Sequence, residues 1–279
     1  MQLEHAPELI QQEQKPYKGG KPATPIFLIH DGGGTTFAYH CMNTLDRYIF
    51  GIGNPYFYSP ETFDGSLAEL GELYAGWIKT AVSKRGFPIR RANDGRIQIY
   101  LGGWSLGGML SLEVAKRLAD DENIKVAGIL MVDSIYPGGF RELFKRESPE
   151  EPPEEGLSKN EMLSRRCMTQ ARRMVGGWEV PVWDGEHAGT RPKSVLLQAT
   201  QYVPTGADPF RIHGLDKYRE TKELGWCEYD KNMFTQVFPV EGHHFDMFTF
   251  DRVDETTKVI KRALERLDKE TMVRRWTLW

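Results

Sequence analysis

Seven residues, Gly102-Gly103-Trp104-Ser105-Leu106-Gly107-Gly108, constrain this chain more than any other stretch. Before them runs a strand-like segment, Ile97–Leu101; after Ser105, Leu110, Val114 and Leu118 recur on one helical stripe within Leu106 to Ala119. A strand that turns directly into a helix holds the intervening serine in a strained conformation, and glycines two positions to either side let the two elements approach without Cβ clashes. The serine Oγ then stands above the sheet edge at the positive end of the helix. The Leu106 N–H is aimed at the same space. A glycine-rich turn without chemistry is the plainer alternative, but the strand and helix on both flanks favour a nucleophile.

The rest of the chain supplies a sheet for that turn to sit on. Ile26–His30, Ile97–Leu101, Val126–Val132, Ser194–Ala199 and Thr235–Val240 are strand-like, with a weaker run at Tyr48–Ile52. Most are continuously apolar, as strands covered on both faces should be. Helical patterns alternate with them, which predicts an α/β fold with a mostly parallel central sheet flanked by helices. Ser66-Leu-Ala-Glu69 is a capping box that opens a helix through Val82, and Val259, Ile260, Ala263, Leu264 and Leu267 mark a terminal helix. One connection, 134–192, is too long for a simple crossover. It contains an acidic, proline-rich stretch from Ser148 to Gly156 and a second capping box, Ser158-Lys-Asn-Glu161, ahead of an apolar face of Met162, Leu163, Cys167, Ala171, Met174 and Val175. A helical lid insertion over the C-terminal edge of the sheet is expected, because open α/β sheets bind their ligands there.

Composition removes several function classes. With 36 Lys and Arg against 39 Asp and Glu, the chain has no global basic field, which argues against nucleic acid as a partner. Cys41, Cys167 and Cys227 are scattered and form no CxxC, so neither a disulfide framework nor a thiolate zinc site is expected, and a reducing, cytoplasmic setting fits. The longest clean apolar run, Val126–Val132, is strand length rather than the ~20 residues of a membrane span. Residues 1–24 lack a signal peptide's apolar region and read as a polar lead-in or linker, leaving 25–279 as the domain. The length alone, 279 residues, allows one large domain or two small ones.

A serine needs a base to take its proton and an acid to orient that base. Of seven histidines, His243 and His244 follow the last strand through Pro239-Val-Glu-Gly242, where the chain order Ser, Asp, His puts the base; His244 is the choice, with His243 flanking it. His5, His30, His40, His187 and His213 read as packing or surface residues. For the acid, Asp133 ends the strand Val126–Val132 and Asp208 follows the strand Ser194–Ala199; the topology does not choose between them. Asp31 and Asp246 fit the order less well. A second oxyanion donor is expected from Gly32 or Gly33 in His30-Asp31-Gly32-Gly33-Gly34, which follows an early strand. A phosphate cradle there is disfavoured, since no Lys-Ser/Thr follows. No histidine pair has helical metal spacing, so no metal site is expected.

With these parts assembled, the chain resembles the α/β-hydrolase thioesterase domains of polyketide synthases and nonribosomal peptide synthetases, most of all those of fungal iterative polyketide synthases. The resemblance runs from about Pro25 to Phe250 and is carried by Pro25-Ile-Phe-Leu-Ile-His-Asp-Gly-Gly-Gly34, Gly102-Gly-Trp-Ser-Leu-Gly-Gly108, Ile129-Leu-Met-Val-Asp-Ser134, Leu224-Gly-Trp226 and Gly242-His-His-Phe245. In that family the acid follows the strand after the nucleophile helix, which implies Asp133 over Asp208. Gly-x-His in the family agrees with His244. Many relatives carry His-Pro before the glycines, whereas this chain has His30-Asp31.

The resemblance implies the substrate and partner: an acyl chain on the phosphopantetheine thiol of an acyl or peptidyl carrier protein, with no cofactor beyond the arm that arrives with the substrate. Water or a nucleophile of the chain itself would release the acyl-serine, by hydrolysis or cyclisation. Lys159, Arg165, Arg166, Arg172 and Arg173 on the lid helix are either docking cations for an acidic carrier or an ordinary solvated face, and the latter is favoured. The rival readings are a carboxylesterase or lipase with the same triad and a non-catalytic ligand-binding protein of this fold. Ser105, Asp133 and His244 span the chain, which favours a single domain over two.

Overall fold

The computed structural model describes residues 7–14, 22–138, 156–206 and 213–273. Among these residues the chain forms a seven-stranded sheet: β1 (Glu8–Gln11), β2 (Ile26–Ile29), β3 (Ile49–Ile52), β4 (Ile97–Trp104), β5 (Ile124–Val132), β6 (Lys193–Ala199) and β7 (Phe234–Val240). The spatial order is β1-β3-β2-β4-β5-β6-β7, and every pairing is parallel except β1 with β3. The helices are a single turn α1 (Phe37–His40), then α2 (Leu67–Ser83), α3 (Leu106–Arg117), α4 (Lys159–Gly176) and α5 (Val253–Val273).

Because β3 and β4 lie on opposite sides of β2, the strand order reverses there. The loop after β2 and the turn after β4 therefore open onto one crevice at the C-terminal edge, where sheets of this kind bind ligands. Alternation along β2 divides the core. Phe27 and Ile29 join the cluster under α2, α3 and α4, while Ile26 and Leu28 join the one under α5. Both faces are covered, which is why the strands read as continuous apolar runs. Each fully buried Leu or Ile contributes about 2 kcal/mol. Both capping boxes form: Ser66 Oγ accepts from Glu69 N and Ser158 Oγ from Glu161 N, with the glutamates returning the bond. On the α5 side, Asp268 accepts from Arg47 and from Tyr100 Oη, fastening the last helix to the sheet.

Two features differ from the sequence reading. The lead-in is not wholly outside the fold, since Glu8–Gln11 pairs antiparallel with β3 as an edge strand. Its mixed sequence, with Ile10 packed on the core and Leu9 exposed, is what an edge strand with one neighbour permits. The connection between β6 and β7, residues 200–233, is also long, and its described part consists of turns and short 3₁₀ segments rather than a crossover helix. Trp226 within it is fully buried and donates from Nε1 to the Ser134 carbonyl at 2.8 Å.

In the 134–192 insertion, α4 lies across the loop after β2. Met168 and Ala171 border Gly32, and Asn54 donates to Cys167 Sγ at 3.6 Å. Trp178, just beyond α4, donates to the buried Glu113 of α3 at 2.5 Å. The acidic stretch expected at Ser148 to Gly156 lies, but for Gly156, outside the described residues.

Candidate active site

Ser105 occupies the turn between β4 and α3 with φ 55° and ψ −115°, a conformation that costs a non-glycine residue of order 1–3 kcal/mol. The flanking glycines explain why the turn can close. A Cβ on Gly103 would lie 2.6 Å from the Ile29 carbonyl oxygen, and one on Gly107 would lie 2.2 Å from the same atom. Neither position has room for a side chain, because β2, β4 and α3 meet there.

The strained turn is clamped from two sides. Tyr39, in α1, donates through its hydroxyl to the Ile29 carbonyl at 2.7 Å and accepts from Trp104 N at 2.9 Å, tying β4 to β2. Ser134 Oγ donates to the Ser105 carbonyl at 2.7 Å, while Ser105 N donates to Val132 at 2.8 Å, tying the turn to β5. Leu106 is the first residue of α3, so its N–H has no acceptor within the helix.

His244 and Asp133 are brought together although 111 positions apart: His244 Nδ1 lies 2.8 Å from Asp133 Oδ2, and both are buried. With Nδ1 held, Nε2 is the ring nitrogen left to exchange a proton. The Trp104 ring packs 5.6 Å from the His244 ring, so the residue preceding Ser105 lies against the imidazole. His243 turns elsewhere. Its Nδ1 accepts from Phe245 N, and its Nε2 lies 3.5 Å from Asp246, which also pairs with Arg252. His30 is buried between Tyr74 Oη and its own loop, and burial lowers its pKa to about 4, which makes it a neutral structural residue. Asp208 lies outside the described residues.

Asp133 carries more than the histidine. Its Oδ1 accepts from Ala199 N at 2.8 Å and from Arg219 Nη1 at 2.6 Å, and its Oδ2 accepts from Arg219 Nη2 at 2.9 Å as well as facing His244. Burial alone would push its pKa up; the hydrogen bonds from His244 and Arg219 outweigh that and hold the carboxyl below the usual range. Sequence reasoning missed Arg219. No local pattern marks it, since its partner is 86 positions away.

In the loop after β2, Gly33 does not keep a free donor. Asp31 folds into an Asx-turn in which its Oδ1 accepts from Gly33 N at 3.0 Å, and Gly34 N donates to the Asp31 carbonyl at 3.1 Å. The expected role of Gly33 as oxyanion donor is thereby corrected. Gly32 N has no hydrogen-bond partner among the described residues. Asp31 is itself unusual: burial raises its pKa to about 6, although bonds from the loop and the nearby His244 pull it down. On the lid, Arg173 is not an available docking cation, because its guanidinium donates to the carbonyls of Phe63, Asp64 and Gly65.

Comparison with known proteins adds relatives of nearly the same length. The chain is 32% identical to a probable thioesterase of Botryotinia fuckeliana over 95% of this chain and 92% of the relative. It is 30% identical to a probable thioesterase of Glarea lozoyensis, covering 95% and 99% respectively. It also matches a segment amounting to 8% of a nonribosomal peptide synthetase of Aspergillus flavus, at 29% identity over 92% of this chain. No protein-family model matches. Among solved structures, the thioesterase domain of NocB from the nocardicin cluster aligns with TM-score 0.60 and 21% identity over 87% of this chain and 95% of its own. The type II thioesterase YbtT of the yersiniabactin pathway aligns with TM-score 0.56 and 13% identity over 94% and 99%. At those identities the structural likeness shows the shared fold. Among the described residues, no helix is long and apolar enough to cross a membrane.

Proposed function

This chain belongs to the α/β-hydrolase thioesterases related to those of polyketide synthases and nonribosomal peptide synthetases, and on that premise we propose that it releases an acyl chain from a carrier-protein thioester through an acyl-serine intermediate. The observation that carries the reading is the buried His244–Asp133 pair at the same sheet edge as the strained Ser105.

In the proposed mechanism Ser105 Oγ attacks the thioester carbonyl while His244 Nε2 takes its proton. Asp133 holds the ring so that Nε2, not Nδ1, faces the serine, and it stabilises the imidazolium that forms. The negative charge on the carbonyl oxygen is received by the N–H groups of Leu106 and Gly32; one such donor is typically worth ~2.7–4 kcal/mol in the transition state. His244 then returns the proton to the departing phosphopantetheine thiol. In the second half-reaction the same histidine deprotonates water or a nucleophile on the acyl chain itself. The apolar cover of α4 over Gly32 supports a pocket that restricts water near the ester.

Intact-protein mass spectrometry with a panel of acyl-N-acetylcysteamine and acyl-carrier-protein thioesters tests this. An acyl adduct that maps to Ser105 and is absent from S105A is the expected result. Turnover of simple oxygen esters with no thioester adduct would favour a carboxylesterase instead.

A further inference from the structure

We propose that Arg219 is a positioning residue: with Asp216 it fixes the Asp133 carboxylate and tunes how firmly that carboxylate holds a proton on His244. The inference rests on the reading of Ser105, His244 and Asp133 as a triad. Four buried groups form one line, and the three beyond the imidazole, Asp133, Arg219 and Asp216, alternate in sign. His244 bonds Asp133, Asp133 receives a two-pronged bond from Arg219, and Arg219 Nε donates to Asp216 Oδ1 at 2.9 Å. Asp216 Oδ2 in turn accepts from Val203 N at 2.7 Å, and Arg219 Nη1 also donates to the Ala199 carbonyl at 3.0 Å. None of the four is more than 5% exposed. The described part of the 200–233 connection is held at the acid by this line and by Gln198, whose amide donates to the Arg219 and Thr221 carbonyls.

Two consequences follow from that geometry. A carboxylate bonded only to the imidazole could swing about its terminal torsion, whereas the planar fork of Arg219 and the Ala199 N–H fix its plane, leaving Oδ2 to meet His244 Nδ1. The second consequence is electrostatic. Asp133 favours the protonated imidazole, Arg219 opposes it and shares the carboxylate's charge, and Asp216 offsets part of Arg219. Arg219 and Asp216 thereby place opposing fields on the imidazolium that forms when Ser105 gives up its proton. Among the described residues, the charged or titratable groups near this line include Asp31 in the loop after β2, Tyr202 with its hydrogen-bond partner Glu220, and His213 against Phe245. On the histidine's own loop, His243, Asp246 and Arg252 are grouped with one another.

The experiment is the pH profile of kcat/KM on an acyl-N-acetylcysteamine thioester for the wild type, R219Q, R219K and D216N. Each is paired with D31N so that titration of Asp31 is absent from the acidic limb. Removing the cation in R219Q should move the acidic limb up by about one pH unit, and removing the outer anion in D216N should move it down by a smaller amount. R219K keeps the charge but loses the fork, so its limb should stay near that of the wild type while kcat falls about tenfold. Opposite displacements distinguish tuning from simple loosening, which would lower activity in all variants without moving the limb in both directions. Should R219Q fail to fold, R219K and D216N still decide: an unmoved limb in D216N, or a limb raised in R219K, overturns the proposal. So does an R219Q limb that coincides with the wild type. Reaction of Ser105 with a fluorophosphonate is followed in parallel, because loss of labelling and turnover in the wild type would overturn the triad reading itself rather than the role of Arg219.

Discussion

Replacing Asp31 by Asn should stabilise the protein above neutral pH and leave it unchanged in acid. The carboxyl is half-buried in the loop after β2, and burial lifts its pKa from 3.8 to about 6. A raised acid pKa means that between these values the folded protein binds more protons than the unfolded chain, so stability falls as pH rises through that window. The full displacement corresponds to about 3 kcal/mol, at 1.36 kcal/mol per unit, and solvent screening of a half-buried group reduces it to about 1–2 kcal/mol. Asparagine keeps the oxygen that accepts the Gly33 N–H, so the Asx-turn survives while the charge is lost. In a chain of this size the gain should appear as a melting temperature higher by about 3–6 °C at pH 8. Calorimetry of both proteins from pH 4 to pH 8 measures it. A difference in melting temperature that stays constant over the range would refute the assignment of a raised pKa to Asp31.

Asp133→Asn should lower kcat by about four orders of magnitude with the fold intact, by analogy with other triads, whereas Asp208→Asn should leave turnover near the wild type; steady-state thioesterase assays separate the two acids. Gly107→Ala puts a methyl group 2.2 Å from the Ile29 carbonyl oxygen, a backbone atom that cannot swing away. A loss of about 3 kcal/mol or more is expected in urea unfolding.

The central sheet was legible because its strands are buried on both faces and need no partner to announce themselves as apolar runs. Both capping boxes were legible for a different reason: their chemistry is complete within four residues. The turn at Ser105 combined these advantages, since strand, glycines and helix adjoin in sequence. Edge strand Glu8–Gln11 had neither, because Leu9 and Ile10 between two polar residues form no apolar run and the strand pairs on one side only. The loop after β2 shows how a single residue redirects a motif. Gly33 fits the pattern of an oxyanion donor, but Asp31 two positions earlier accepts its N–H, and only the folded turn reveals the competition. Arg219 lies beyond sequence reasoning altogether, as nothing near it encodes a partner on β5.

The anchoring of each group also bears on how release is controlled. Ser105 is tied to β2 through Tyr39 and to β5 through Ser134, and His244 is tied through Asp133 to both β5 and β6, so the proposed nucleophile and base are anchored to the same three strands. The lid helix α4 touches the fold at another place, with Met168 and Ala171 against Gly32 and Cys167 against Gly34. Motion of α4 would therefore be felt first at the loop after β2, and only weakly at Ser105 or His244. In the proposed mechanism Gly32 receives the developing charge in both half-reactions, so a lid shift would change the rates of acylation and release together. A change confined to the choice between water and an internal nucleophile must instead come from the surface that α4 presents to the acyl chain.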